Sequence, residues 1–421
     1  MNYIQKISSG PDFYYIPFPQ KTNDVYLEIN LKTGSIHGNN KELGIGHLLE
    51  HYLVGQLRRN KMTQNLETNG AVLKEQTNYY LKSSKNKILR ESKYFLDGIL
   101  NPDFSDKKIF FSEKVSLLNE LNAKINSIEE QGNRIIFKAR FDKDYSYSRT
   151  KLDELKNLKN KTIKDIKNYY KKFFIKSNLV ITLSGYKLNK KIIKKVDNMI
   201  KTYAISKKKE GFKLQSCRYS GFKIIKNKNN FIKKDTLVLL TFPSHDSYEV
   251  KPWQRLGIDA VCKILSGSQY GLLNDLREIG IYNLTYERLT WRRCGLIIFA
   301  SFVPQNKIGL LLELFVKKIK EIKIGEISKE KLRKILIDDK KAVKETFMDS
   351  IERLDWLTYD LINYGKIIPL KEDIKNINKI DDKFIKNLSN KILRRNKLNI
   401  IFLGKNLRNI NIAEIKRILK F

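Results

Sequence analysis

One order of elements runs twice along this chain, and that repetition constrains the fold more than any other feature. In the first half, VYLEINL (25–31) alternates like a half-buried strand, and helical periodicity follows at 42–58 and 86–100. A longer helical pattern covers 106–131, and SNLVITLSG (177–185) reads as a buried strand before another helix. In the second half, DTLVLLTFP (235–243) opens as a strand, and WQRLGIDAVCKIL (253–265) and SQYGLLNDLRE (268–278) read as helices. CGLIIFASFV (294–303) is again a strand, KIGLLLELFVKKIKEI (307–322) a helix and LNIIFLG (398–404) a closing strand. Between the halves, 207–230 is polar, basic and without sustained helical period, which predicts a linker. The expected fold is α+β, with two homologous-looking domains at 1–206 and 231–421. Each is expected to be a mostly antiparallel sheet covered by helices on one face.

The charge is the most conspicuous number, with 82 Lys and Arg against 45 Asp and Glu, a net +37. Such a surplus invites nucleic acid as a partner. The lysines, however, sit in segments such as 159–172 and 187–201, where apolar residues recur at helical spacing, so they fall on solvated helix faces. No RNA-recognition sequence, zinc-finger spacing or Arg-rich tail accompanies them, and nucleic-acid binding is the lesser reading. The longest apolar runs, 237–242 and 295–303, are too short for a membrane span, so none is expected. The first fifteen residues lack the apolar run of a secretory signal. Cys217, Cys262 and Cys294 are odd in number and widely spaced, which argues against a disulfide framework or a Cys-based zinc site. A reduced, cytoplasmic protein is the expectation.

The chain holds four histidines, and two of them fall in HLLEH, as His47 and His51 around Glu50. Positions four apart on a helix share a face, so both imidazoles can reach one ion. Glu50 points to the edge of that face, where it can act on a water beside the ion without joining the ligands. Ordinary polar residues would instead leave three groups needing partners if the segment is buried. Catalytic zinc takes three protein ligands and keeps a fourth position open. The segment 112–125 offers Glu113 and Glu120, seven residues apart and therefore on one face. Glu120 lies among Leu117, Leu118 and Leu121, which predicts partial burial and suits a ligand, while Glu113 would orient a histidine. Taken alone, the segment is equally readable as two solvated glutamates. His37, in a polar turn, and His245 read as structural or surface histidines.

GIGHLLEHYLVG (44–55), NGAV (69–72), TNYYLK (77–82), LNPDFSDKKI (100–109) and the glutamate pair together resemble the M16 family of inverted-motif zinc metallopeptidases, the inverzincins. KNYYKKFFIKSNLVITLSGY (167–186) and GLLNDLREIGIY (271–282) extend the resemblance over nearly the whole chain. It implies an M16, LuxS-like metallohydrolase fold and one zinc per active site, held by His47, His51 and Glu120. Glu50 would be general base, with Glu113 behind the ligands, and the substrates would be short or unfolded peptides, including precursor or leader peptides. Arg277 and Tyr282 would hold the substrate carbonyl or the oxyanion.

Two segments depart from the family. Arg277 and Tyr282 are five residues apart, closer than the family's spacing, so Tyr282 is either across a trimmed turn or an ordinary packed aromatic. The stretch 70–80 is shorter than the family's edge strand, and strand contacts to substrate are not carried over. Because the family's closed chamber takes four such domains, a two-domain chain implies a dimer. Its partner would be a second copy or an M16-like paralogue. A non-catalytic binding or scaffold subunit is the alternative function.

Overall fold

The computed structural model describes residues 5–8, 11–143, 145–207, 217–232, 234–244, 254–266 and 270–421. His245 and Trp253 lie outside the described residues. Six strands, β1 (Gln5–Ser8), β2 (Asp12–Pro17), β3 (Asp24–Leu31), β4 (Glu67–Val72), β5 (Thr77–Ser84) and β6 (Leu179–Gly185), form one sheet in the order β1-β2-β6-β3-β5-β4. Five more, β7 (Lys223–Lys228), β8 (Thr236–Ser244), β9 (Thr285–Thr290), β10 (Gly295–Val303) and β11 (Asn399–Gly404), form a second in the order β7-β11-β8-β10-β9. Each sheet is antiparallel except for one parallel pair, β2 with β6 and β7 with β11. Apart from the extra edge strand β1, the two orders correspond strand for strand, so the duplication expected from the sequence is present.

The helices of the first half are α1 (Ile45–Arg59), α2 (Ile88–Leu100), α3 (Lys107–Ile125), α4 (Ile128–Arg140), α5 (Lys151–Leu158), α6 (Ile163–Phe173) and α7 (Lys190–Thr202). Those of the second are α8 (Gln254–Leu265), α9 (Leu273–Glu278), α10 (Ile308–Ile324), α11 (Lys329–Met348), α12 (Ser350–Tyr364), α13 (Leu370–Ile377), α14 (Asp382–Ile392) and α15 (Ile412–Ile418). The helical period over 106–131 is two helices, broken at Asn126, whose side-chain amide donates to the Asn122 carbonyl.

The expected linker at 207–230 needs correction. Its last third is β7, paired residue for residue with β11. Lys223, Asn227 and the alternate lysines Lys226 and Lys228 hid the strand, because an edge strand is solvated and tolerates polar residues. The cysteine expectation is overturned as well. Cys217 and Cys294 form a disulfide with their Cα atoms 5.3 Å apart, and Cys262 is a buried free thiol. Separation in sequence says little about distance once a sheet brings remote strands together.

The compact units are also not sequential. The first comprises 1–130, 149–214 and 346–367, and the second 131–148, 215–345 and 368–421. In the first unit, Val25, Leu27, Ile29 and Leu31 of β3 point into a core shared with Leu48, Leu49, Tyr52 and Leu53 of α1. The alternate residues point to the other face, where helices were not expected, and α12 covers part of it with Leu361 and Ile362 against Tyr14 and Val180. That face is polar. Glu28 accepts from Thr182 Oγ1 at 3.0 Å and from Thr358 Oγ1 of α12 at 3.5 Å, and burial lifts its carboxyl to about 7. In the second unit, the fully buried Arg140 donates to the Thr241 carbonyl and hydroxyl of β8, and burial lowers it to about 9.

Candidate metal centre

Helix α1 begins at a left-handed Gly44, where a side chain would meet Leu158 at 2.9 Å. From that start, Leu48, Leu49, Tyr52 and Leu53 face the core, and His47, Glu50 and His51 share the adjoining stripe. Helix α3 starts at Asp106, whose carboxylate accepts from the Ile109 amide at 2.9 Å. Its Leu117 and Leu121 are buried, which turns Glu113 and Glu120 toward α1.

Among the described residues, one group of side chains has the composition and spacing of a metal site, His47, Glu50 and His51, with ligand atoms within 4.8 Å of one another. Glu120 joins it. Its Oε2 lies 3.3 Å from His51 Nε2 and its Oε1 lies 3.8 Å from His47 Nε2. Ligands at zinc–nitrogen and zinc–oxygen distances around a tetrahedron stand about 3.3 Å apart, so two imidazoles and a carboxylate with these separations fit that ion. The structure therefore brings together His47, Glu50, His51, Glu113 and Glu120.

The other nitrogen of each imidazole faces a carboxylate. His51 Nδ1 is 3.7 Å from Glu113 Oε2, and Glu113 is in turn held by Arg59 at 2.9 Å. His47 Nδ1, buried, is 3.5 Å from Oε2 of Glu154. Glu154 was not among the residues anticipated. It sits on the buried face of α5 with Leu155 and Leu158, and its signal in the sequence was a glutamate at core spacing behind a Thr150–Asp153 capping box. Both arrangements favour the tautomer with hydrogen on Nδ1, leaving Nε2 free for a metal.

The charges are consistent with that role. Burial, then the charge of His47, lowers His51 to about 4, so it is neutral near pH 7 and able to ligate. Burial, then the charge of Glu120, lifts Glu50 to about 7, in the range of a neutral-pH general base. Burial opposes ionisation of Glu120, but the Lys124 ammonium at 2.6 Å and the two histidines outweigh it and hold the carboxyl below its usual range. Glu50 is confined from the sheet side by Gly70 of the edge strand β4. A Cβ there would lie 2.6 Å from Glu50 Oε1.

Arg277 and Tyr282 belong to the second unit. Arg277 is exposed near the end of α9, and Tyr282 is 72% exposed after the left-handed turn at Gly280, so it is not a packed aromatic. Neither is part of the α1–α3 cluster. In the second unit, α8 holds the place in the element order that α1 holds in the first, but it carries no histidine. Its Asp259 pairs instead with Arg288 of β9 at 3.0 Å. His37 is a structural histidine, buried, with Nδ1 accepting from the Gly34 amide at 3.0 Å.

Residues 19–148 match the insulinase domain of peptidase family M16, and residues 160–337 match the M16 inactive domain. These two matches take in most of the chain, and the chain belongs to the M16 peptidase family. No curated protein sequence matches it. Among solved structures, a protease from Helicobacter pylori is 17% identical, with a TM-score of 0.79 over 95% of this chain and 98% of that one. A chain of complex III2 from Candida albicans, solved with Inz-5 bound, is 12% identical, with a TM-score of 0.83 over 99% of both. The periplasmic protease PqqL from Escherichia coli is 12% identical, with a TM-score of 0.81 over 99% of this chain and 49% of its own. This chain thus spans about half of PqqL. At these identities the likeness is one of fold.

Proposed function

We propose that the chain is a zinc-dependent endopeptidase of short or unfolded peptides, including precursor or leader peptides, working in a chamber completed by a second copy or an M16-like paralogue. The observation that carries the reading is the joint presence of two histidines, Glu120 at ligand separation and a buried Glu50 beside them. His47, His51 and Glu120 would hold the ion, while Glu113 and Glu154 fix the imidazole orientations. Zinc bound there would supply a Lewis acid for a water molecule and for the scissile carbonyl. Glu50 takes the proton of the attacking water and returns it to the departing amine. Arg277, and Tyr282 after it, would stabilise the oxyanion from a second-unit domain.

A second reading, a binding or scaffold subunit without turnover, is favoured by the match of 160–337 to a domain described as inactive and by the fold shared with a complex III2 chain. Glu50→Gln separates the two. The peptidase reading expects unchanged zinc content and folding with peptide cleavage abolished. Cleavage surviving in Glu50→Gln would remove Glu50 from the chemistry, and a zinc-loaded wild type that cleaves no member of a mixed peptide library would favour the scaffold.

A further inference from the structure

Among the described residues, Arg58, Arg59 and Lys124 are exposed cations close to the α1–α3 cluster, and two of these are paired. Arg59 pairs with Glu113 and Lys124 with Glu120. Arg58 differs. Its Nη2 donates to the neutral Asn69 Oδ1 at 3.1 Å, and among the described residues it has no carboxylate partner. Asn69 lies on β4, the edge of its sheet, next to the Gly70 that abuts Glu50. The guanidinium is therefore anchored over the open edge strand with its charge unneutralised. Seven residues separate Arg58 from His51, which places it on the same helix stripe about 10 Å further along. Its charge is felt at the centre, where it favours the ionised form of Glu50 and the neutral form of His51.

We propose that Arg58 determines specificity by receiving a carboxylate of the peptide, about three residues from the bond to be cut. The inference rests on the peptidase reading. An extended peptide advances about 3.3 Å per residue, so three residues span the distance from His51 to Arg58. A guanidinium already fixed by one hydrogen bond retains donors in the planar fork that matches a carboxylate, and little further ordering is needed to bind one. The carboxylate can belong to an internal Asp or Glu or to the peptide's own C-terminus.

The test uses the full, zinc-loaded chain and two peptide sets. One scans a single Glu from two to four residues on either side of the cleaved bond, with amidated C-termini. The other is neutral, with free or amidated C-termini at matching lengths. Wild type should prefer a carboxylate at one position about ten- to hundred-fold in kcat/KM. Arg58→Gln should lose that preference while changing cleavage of the neutral amidated peptide far less than that of the preferred carboxylate peptide, and Arg58→Glu should turn the preference into discrimination against the carboxylate. Which set shows the effect distinguishes a side chain from a C-terminus. Equal slowing of every peptide by Arg58→Gln, or no carboxylate preference in wild type, overturns the proposal. Should the wild type cleave nothing, the peptidase reading fails separately. Fluorescence anisotropy with the same peptides then decides the Arg58 inference, and equal affinities in wild type and Arg58→Gln overturn it.

Discussion

Glu154→Gln is the sharpest test of how the centre is built, because this residue adjoins His47 but belongs to none of the groups placed to hold the ion. The substitution keeps shape and a hydrogen-bond acceptor and removes one negative charge 3.5 Å from His47 Nδ1. Two full charges at that separation interact by about 5 kcal/mol at an effective dielectric near 20. A ligating imidazole carries only part of the ion's charge, so the loss is smaller, about 1.4–2.7 kcal/mol, or ten- to hundred-fold in metal affinity. Glu154 is buried and stays ionised because Lys151 and His47 outweigh its desolvation, so its charge is not quenched by solvent. The assay is zinc competition against a chromophoric chelator at pH 7, with circular dichroism confirming the fold. Zinc affinity of Glu154→Gln within two-fold of wild type would refute the idea that the charge of this carboxylate supports His47 as a ligand.

Gly70→Ala places a methyl group 2.6 Å from Glu50 Oε1, so peptide cleavage should fall at least ten-fold while zinc content stays intact; unchanged cleavage would separate β4 from the chemistry. In the metal-free protein, His51 titrates near 4 against about 6.5 unfolded, so its contribution to stability is full above 6.5 and is lost as pH falls toward 4. Glu50 titrates near 7 against 4.5, so its contribution is full below 4.5 and is lost as pH rises through 7. The two nearly cancel from 4.5 to 6.5. Removing one should expose the other: the stability of metal-free Glu50→Gln relative to wild type should grow by up to about 3 kcal/mol from pH 4.5 to 7 in urea unfolding. A pH-independent difference would contradict the burial of Glu50. Thiol titration of denatured protein purified without reductant should find one free thiol, Cys262, with Cys217 and Cys294 oxidised; three thiols would restore the reduced protein expected from the sequence.

Much of the centre was legible because helical spacing is a local rule. His47, Glu50 and His51 need only one helix to converge, and Glu113 and Glu120 need only a second. Both helices are present over those residues, although the second ends at Ile125, short of the expected 131. Glu154 was out of reach for the opposite reason: it meets His47 only after a third helix has packed, and packing partners are not written in periodicity. The same holds for Cys217 and Cys294, 77 residues apart, and for β7, whose lysines look like linker until β11 is beside them. The element order exposed the duplication, but the exchange of α12 and much of α4 between compact units depends on contacts from remote parts of the chain.

That exchange sets a timetable for biosynthesis. The sheet beside the candidate metal centre is complete once β6 ends at Gly185, yet the polar face around Glu28 waits for Thr358 on α12. Until α12 has been made, a nascent chain carries a finished sheet with a carboxylate, an asparagine and a threonine on an uncovered face. A gene cut at the apparent midpoint would leave it so permanently. The half that carries the candidate centre is thus not a portable fragment, and complementation by two separately expressed halves would require them to trade segments while folding, not dock after it.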